Sequence, residues 1–579
     1  MNKRWLVNRT NPEYVNYLTK AASISPVLAQ ILINRGIKTA GAVNSFLNPA
    51  LTGLSDPFEL PDMKVAVERI KNALSRRERV LVHGDYDTDG LTSTAIMVHA
   101  LKTMGMDVHY FIPSRLTHGY GFNPPAVDMA EALGVKLIIT VDCGITSLDA
   151  VAYAKEKGIA VIITDHHEPI RQSAVGTQQS DPRSQELLLP DAVALVNPKL
   201  GAANCRTATL SGAGVAFKVA QAFALDHDLP FIVDDSLSLL DLAALGTIAD
   251  VVPLINENRI ILKQGLGYIR NANRPGIKSL LQVSGLGERD LRAALLSFTM
   301  VPRINAVGRI GDAVDVIRLF LSDSAEETSC IADGLDRMNT ERQRIEEAVY
   351  REALSQVNAK GYDAAIVLHG KGWHTGVVGI VASRIAEEFY RPAFVFTVTD
   401  DVAKGSVRSV PGFDLCKGLS ECRDILIEFG GHKQAAGVRL YVSNLPAFEE
   451  RINGIVRDSL EKEDFIPTVA IDAEVTLSEV NAGLIRELSS LEPFGYGNPE
   501  PLLGARRLDI LNPRIVGNNH IKMKLKQKSS SLDAIGFAMG SLFESLSSTS
   551  VDVVFTPTIN EWNGSRYLQM NLKAFRASV

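Results

Sequence analysis

The chain has 579 residues, of which 46% are hydrophobic and 22% charged, an ordinary globular composition that excludes whole-chain disorder and, at this length, a single core. Its 60 basic and 66 acidic residues leave a net charge of −6, so the molecule as a whole is not coated in positive charge to hold a polyanion. The five cysteines, Cys143, Cys205, Cys330, Cys416 and Cys422, form no CxxC pair and no disulfide framework, which suits a reducing cytoplasm. The first residues, MNKRWLVNRTNPEYVNYL, carry no apolar signal core, and no run approaches the ~20 apolar residues of a membrane span. An unexported protein with no membrane association is expected.

Residues 1–55 read as a helical lead-in, with helix-type composition at Leu28–Arg35 and Ala40–Phe46 and a stop at Asn48-Pro49. An alternation of β-rich runs and helical stretches follows. Val80–Val82 leads into His83, Leu137–Val141 into Asp142, Ala160–Thr164 into Asp165 and Val193–Val196 into Asn197, with helices expected at Ser93–Met104 and Asp149–Lys157. This pattern predicts an α/β domain on a parallel sheet covered on both faces, with polar residues at the C-terminal strand edge where such sheets bind ligands. Helical spacing of Ile331, Leu335, Met338, Ile345 and Val349 predicts a helix over 321–360, either a packed surface helix or one joining two domains. A second α/β module begins near Asp363, with strands at 365–368 and 393–396 and a glycine-rich segment at Phe429–Gly437. From about Val469 the pattern alternates, with turns at Gly495, Gly497, 517–519 and 563–564, and predicts a small β-barrel. The expected domains are therefore 1–55, a catalytic domain over 56–320, the helix 321–360, a substrate-binding domain over 361–462 and a barrel over 463–579.

The densest chemistry is His83-Gly84-Asp85-Tyr86-Asp87-Thr88-Asp89-Gly90. Carboxylates this crowded repel one another unless cations neutralise them, and oxygen ligands with imidazole suit Mn²⁺ or Mg²⁺ better than a thiolate-bound metal. An Asp-rich turn capping the next helix would give the same local sequence. Asp142, Asp165-His166-His167 and Asp250 recur at other strand or helix ends, and adjacent histidines directly after an apolar strand are hard to explain by packing.

These motifs, in this order, resemble the DHH phosphoesterase superfamily and, within it, the RecJ family of single-strand-specific DNA exonucleases. The resemblance runs from about Val80 to the C-terminus. It implies two divalent cations, Mn²⁺ or Mg²⁺: one held by His83, Asp87 and Asp142, the other by Asp89, Asp142, His166 and Asp250, with Asp142 shared. Asp85 would be a direct ligand or stand just behind one. His167 would face the scissile phosphate, and Asp165 would orient the imidazoles.

The same resemblance assigns substrate contacts. Arg115 and Tyr120 lie in the loop after the first βα unit, and Arg303, Asn305 and Arg309 in a segment along the DNA path, although either arginine could instead pair with a carboxylate. His374, Ser383, Arg384, Ser406, Arg408, Gly431 and His432 belong to the DHH-associated domain, where Arg408 and His432 would clamp a phosphate. Val407 departs slightly from the family's usual pattern there. Phe494 and Tyr496 sit in the entry to an OB-type barrel, and Lys522, Lys524 and Lys526 alternate onto one face of a strand, which would serve a nucleic acid or protect an exposed edge. Digestion of single-stranded DNA from the 5′ end to 5′-mononucleotides, in recombination and repair, is implied. A gap between the two α/β domains would admit one strand and exclude a duplex. A helicase and a single-strand-binding protein as partners, and a monomeric state, rest on the family alone. An oligoribonuclease or cyclic-dinucleotide phosphodiesterase of the same superfamily, and a non-catalytic scaffold, are the alternatives. The net charge fits a nuclease once divided: residues 501–579 carry +5, leaving −11 elsewhere.

Overall fold

The computed structural model describes residues 3–113, 121–172, 186–203, 205–311, 313–547, 550–562 and 565–578. The chain divides into two compact units, one of Asn8–Asp336 with Asp472–Val579, the other of Met1–Val7 with Arg337–Ile471.

The larger unit holds the expected parallel sheet. Its strands, in spatial order, are Val108–Phe111, Val80–His83, Leu137–Val141, Ala160–Thr164 and Ala194–Val196. Val80–His83 and Leu137–Val141 are buried at every position, as strands covered on both faces must be. Leu81, Ile138 and Ile163 point to one face, under the helices Pro124–Ala132 and Leu148–Glu156. Elsewhere in the unit the helices Thr88–Thr103, Gly212–Leu225 and Leu240–Ala249 pack on one another. These three are buried almost all round, which explains why none shows an exposed polar stripe.

The barrel of this unit is closed. Strands Leu503–Val516, His520–Gln527, Ser530–Gly536, Ser565–Ala577 and Ser550–Trp562 follow one another, and the last pairs back to the first. The first strand can serve two neighbours because it is bulged, at Ala505/Leu508 and Leu511/Arg514, where Arg507 and Asn512 take positive φ. This is the OB-type barrel expected. The expected helices near the N-terminus are present as Pro26–Asn34 and Ala40–Leu47, preceded by Pro12–Ala22, and each is capped by a side-chain oxygen, from Ser25, Thr39 and Asn11. They share one apolar core with the barrel, Leu28, Ile31 and Val43 packing with Leu484, Leu503 and Phe555.

Arg259 links these parts to the sheet domain. It is 1% exposed and donates to the carbonyls of Phe46, Ser490, Leu491 and Glu492 at 2.7–3.2 Å, with its guanidinium 3.9 Å from the Phe46 ring centroid. Burial, and then Arg35, lowers its pKa to about 10, so it stays charged. A second buried cation, Lys218, pairs with Glu257 at 3.0 Å and donates to the carbonyl of Ser55.

The smaller unit is a mixed sheet in the order Glu428–Gly431, Ala435–Tyr441, Val402–Arg408, Ala393–Thr399 and Ile366–Lys371, parallel only between the last two. The helix Thr375–Phe389 and part of the long helix Ala325–Lys360 cover one face, and Leu445–Ser459 the other. The glycine-rich segment is a β-hairpin. One expectation is corrected here: the lead-in is not helical from its start, because Arg4–Val7 is a strand that pairs in parallel with Thr468–Ile471.

Candidate metal centre

The parallel strands end together, and the site is built on that edge. His83 is the last residue of its strand, while Asp142 and Asp165 each follow theirs by one residue. Asp87 and Asp89 lie at the start of the helix Thr88–Thr103, where Asp87 is the N-cap and its Oδ1 accepts the Gly90 N–H at 3.0 Å. The capping explanation of the motif is thus true of Asp87, and the motif still reaches the cluster. Asp142 has φ 58°, a left-handed conformation that suits Asp better than most residues.

Three groups of side chains bring ligand atoms within 4.8 Å of one another: Asp142 with His166 and His167, Asp89 with His166 and Asp250, and Asp85 with Asp87 and Asp142. Carboxylates surround His166 Nε2, with Asp142 Oδ1 at 3.1 Å, Asp250 Oδ2 at 3.6 Å and Asp89 Oδ2 at 3.8 Å. These are the four residues expected at one cation. At the other, Asp85 joins Asp87 and Asp142 in the close group, whereas His83 does not. His83 Nε2 and Asp142 Oδ1 are nonetheless buried polar atoms without a hydrogen-bond partner among the described residues. Such atoms are costly unless something satisfies them.

Electrostatics point the same way. Burial first, and neighbouring carboxylates next, hold Asp89 and Asp142 well above the ordinary carboxylate range and push Asp85 to about 8. Burial lowers His83 and His166 to about 4, so both are neutral and offer a lone pair. His167 differs: burial is the largest single influence and opposes its charge, but the Asp165 Oδ1 at 2.7 Å from its Nδ1, together with the negative charges of Asp165, Asp250 and Asp85, outweighs burial and raises it to about 9. Asp165 is fixed in turn by the N–H groups of Ile145, His166 and His167. Hard oxygen donors with neutral imidazoles, crowded acids and orphaned buried acceptors fit a pair of divalent cations.

Several supports carried little signal in the sequence. Asp89 accepts from Gly212 N at 2.7 Å and Ala213 N at 2.9 Å, the first turn of the helix Gly212–Leu225. A Cβ at Gly212 would lie 2.3 Å from Asp142 Oδ1, so the position must be glycine for the helix to come this close. The run Ser211-Gly212-Ala213-Gly214 was the available signal. Asn197, noted at a strand end but given no role, is a further support; its Nδ2 donates to the His167 carbonyl at 3.0 Å.

The expected substrate residues divide. Arg115 and Tyr120 lie outside the described residues. Arg303 is paired with Asp336 at 2.8 Å and donates to the Thr299 carbonyl, the carboxylate-pairing alternative raised above. Asn305 Oδ1 accepts from both the backbone N–H and the hydroxyl of Thr88, so this side chain braces the ligand-bearing helix. Arg309 is in the last turn of the same helix, Ala293–Ile310, half-buried.

In the smaller unit, Arg384 lies 3.3 Å from Glu346 and 3.2 Å from Glu347 and stacks over Tyr350, three residues of the helix Ala325–Lys360. His374 caps the helix Thr375–Phe389 through Nδ1, and Ser383 Oγ donates to the Gly379 carbonyl. Arg408 Nη1 is 3.1 Å from Ser406 Oγ, and a Cβ on Gly379 would be 3.0 Å from that hydroxyl. Arg408 and Ser383 line a cavity of about 660 Å³ with Lys3 and Gln434. Gly431, at φ 149°, and the exposed His432 form the neighbouring hairpin turn.

In the larger unit, Phe494 packs against the barrel core and Tyr496 is 63% exposed. Lys522, Lys524 and Lys526 do alternate outward on His520–Gln527, with Ile521, Met523 and Leu525 inward.

Residues 79–247 match the DHH family, N-terminal domain; residues 361–458 match the DHHA1 domain; and residues 471–574 match the RecJ OB domain. The single-stranded-DNA-specific exonuclease RecJ of Bacillus subtilis is 40% identical over 576 residues, covering 98% of this chain and 70% of its own. The Mn²⁺ complex of Thermus thermophilus RecJ superposes with a TM-score of 0.84 at 32% identity, over 100% of this chain and 80% of that one. The Mg²⁺ complex of the same protein gives 0.78 at 30% identity, over 100% and 79%.

Proposed function

The chain belongs to the RecJ family of DHH phosphoesterases, and from that premise we infer that it is a single-stranded-DNA-specific exonuclease whose divalent cations are Mn²⁺ or Mg²⁺. The observation that carries the reading is the convergence of Asp89, Asp142 and Asp250 on His166 Nε2, beside the Asp85–Asp87–Asp142 group. We assign Asp89, Asp142, His166 and Asp250 to one cation, and Asp87 and Asp142 to the other, with His83 and Asp85 beside them. Bound there, divalent cations supply a more acidic water and neutralise charge building up on the phosphoryl group.

The chain's own residues do the rest. His167, protonated because Asp165 holds its Nδ1, presents Nε2–H as a donor to a phosphoryl oxygen, a charge-assisted bond that strengthens as negative charge develops. Asp165 keeps that imidazolium oriented while its other oxygen is fixed by Ile145 N–H. Ser406, Arg408 and the exposed His432 are the candidates for the terminal phosphate, and Arg309, Tyr496 and the lysine face for the strand. Arg303, Asn305 and Arg384 act instead as braces.

Attack from the 5′ end with release of 5′-mononucleotides, a role in recombination and repair, cooperation with a helicase and a single-strand-binding protein, a monomeric state and a cytoplasmic location complete the proposal. Among the described residues no helix is long and apolar enough to cross a membrane. The test incubates 5′- and 3′-end-labelled single-stranded DNA, duplex DNA, short RNA and cyclic dinucleotides with the protein in Mn²⁺, Mg²⁺ or chelator. Metal-dependent release of the 5′ label as mononucleotide from single-stranded DNA is expected. Preference for RNA or cyclic dinucleotides would overturn the choice of substrate, and inactivity on all of them would favour a scaffold.

A further inference from the structure

We propose that Cys143 is a positioning residue that holds the His83 imidazole in the tautomer whose bare nitrogen, Nε2, is available to a divalent cation. The inference rests on reading His83 as a metal ligand and adds to it the residue that makes His83 competent.

Both residues are buried, His83 fully and Cys143 at 1% exposure. Cys143 Sγ lies 3.5 Å from His83 Nδ1 and 3.9 Å from the His83 backbone carbonyl oxygen. A neutral imidazole carries one N–H and one lone pair, and whichever partner sits at Nδ1 decides which nitrogen holds the proton. The thiol has a single hydrogen. Donated to the His83 carbonyl, which can only accept, it leaves sulfur lone pairs facing Nδ1, and these accept an N–H. The proton then resides on Nδ1 and the lone pair on Nε2.

Nε2 is the atom that needs an explanation. It is buried and has no hydrogen-bond partner among the described residues, so neither an N–H nor a lone pair there is satisfied by protein. A cation satisfies a lone pair and not an N–H, which selects the tautomer that Cys143 imposes.

The ring cannot swing away, since Phe122 meets it edge-on at 5.2 Å and Phe111 lies at 5.5 Å. The thiol is fixed as well: Thr140 Oγ1 donates to the Cys143 carbonyl at 2.8 Å, and Gly144 turns at φ 111° where a Cβ would lie 2.7 Å from that hydroxyl. Thus the turn that carries Asp142 into the cluster also places the thiol against His83. Outer partners of ligating histidines generally set ring orientation, and their loss weakens metal affinity tenfold to hundredfold.

The experiment titrates metal-free protein with Mn²⁺, followed by calorimetry and by the electron-spin-resonance signal of free Mn²⁺, for wild type, Cys143→Ala, Cys143→Ser and His83→Ala. His83→Ala should lose or greatly weaken one of two sites, which tests the ligand assignment by itself. Cys143→Ala should weaken that same site by about tenfold or more and leave the other unchanged. Cys143→Ser, whose hydroxyl can donate and accept in the same way, should stay within about threefold of wild type. Wild-type affinity in Cys143→Ala, with His83→Ala defective, overturns the role of Cys143 alone. Unchanged binding in His83→Ala removes the ligand reading, and the proposal with it. Imidazole ¹⁵N shifts of metal-free wild type, read for His83, give an answer that needs no variant: a protonated Nδ1 is expected, and a protonated Nε2 would contradict the proposal.

Discussion

Asp142 concentrates the argument at the scale of single residues. It is 2% exposed, has φ 58°, belongs to two of the three ligand groups and carries a carboxylate oxygen that no described hydrogen bond satisfies. Without cations, such a cluster relieves its repulsion by taking up protons, and this makes metal-free stability depend on pH. A carboxyl whose folded pKa is raised contributes stability that is complete below its ordinary value near 4 and is lost as pH rises through the folded value, about 8 for Asp85. His167, raised to about 9, loses its contribution in the same direction above pH 6.5, while His83 and His166, lowered to about 4, add stability only until their unfolded forms have lost their protons just above 6.5, which offsets little of the loss from the raised carboxyls. Between pH 6.5 and 8 the metal-free protein should therefore become less stable. Added Mn²⁺ should raise Tm more at pH 8 than at pH 6.5. Thermal scans with chelator and with Mn²⁺ check this, and a metal-free Tm that rises across the interval would contradict it.

At this same scale the sequence was most informative about ligands and least about their supports. Asp87, Asp89, Asp142, His166 and Asp250 could be named because acids and histidines clustered at strand and helix ends have few structural uses, and because the family resemblance implied a role for each. Gly212 and Cys143 had no role legible there, and Asn197 was placed at a strand end without one, since a glycine, an amide and a thiol acquire meaning only from what the fold brings against them. Arg303 and Arg384, expected at a phosphate, each meet a carboxylate in the structure. A basic residue in a motif that runs beside DNA suggests a phosphate contact, yet Asp336, Glu346 and Glu347, the residues that engage them, are distant in sequence.

Elements explain why the ligands hold still. The helix Thr88–Thr103 is pinned at its first turn by Asn305 from the helix Ala293–Ile310, and the helix Gly212–Leu225 delivers two N–H groups to Asp89. A brace and a substrate contact predict different kinetics. Asn305→Ala leaves Thr88 N–H unpaired and loosens the ligand-bearing helix, so kcat should fall about tenfold or more with KM within about threefold. Steady-state rates on single-stranded DNA decide this, and a raised KM at unchanged kcat would restore Asn305 to the substrate. The barrel strand His520–Gln527 was legible from its period of two, and its three outward lysines are the basic face anticipated. Replacing Lys522, Lys524 and Lys526 together with alanine should reduce the slope of log affinity against log salt by about 2, three phosphate contacts at ~0.7 each for a single strand. Fluorescence anisotropy over a salt series measures it; an unchanged slope means the face only protects a strand from edge pairing.

For the whole molecule, composition allowed several domains but could not show how distant segments combine. The strand Arg4–Val7 finds its partner at Thr468–Ile471, and helices near the N-terminus share a core with a barrel almost 500 residues further on. No local pattern encodes such pairings. Arg259 bonds four carbonyls from two distant segments, so its loss should be felt beyond its own helix. Arg259→Met should destabilise the larger unit by about 2–4 kcal/mol, because it strands buried carbonyls that no water replaces. Denaturant unfolding measures this, and a change below about 1 kcal/mol would mean the carbonyls find other partners. The uneven charge is also a whole-molecule property. The overall −6 combines a +5 segment over 501–579 with an acidic remainder that includes the ligand carboxylates, so a net negative protein can still hold a nucleic acid.

One buried carboxylate, shared between two groups of ligands, makes this protein a metal-dependent exonuclease on single-stranded DNA. The most direct measurement is the release of mononucleotide from 5′-labelled single-stranded DNA in Mn²⁺ by wild type and by Asp142→Ala, alongside the Mn²⁺ stoichiometry of each. Rapid release and two bound Mn²⁺ are expected for wild type, and for the variant no detectable release with at least one cation lost. Near-normal release by a folded Asp142→Ala variant would contradict the role of the shared carboxylate.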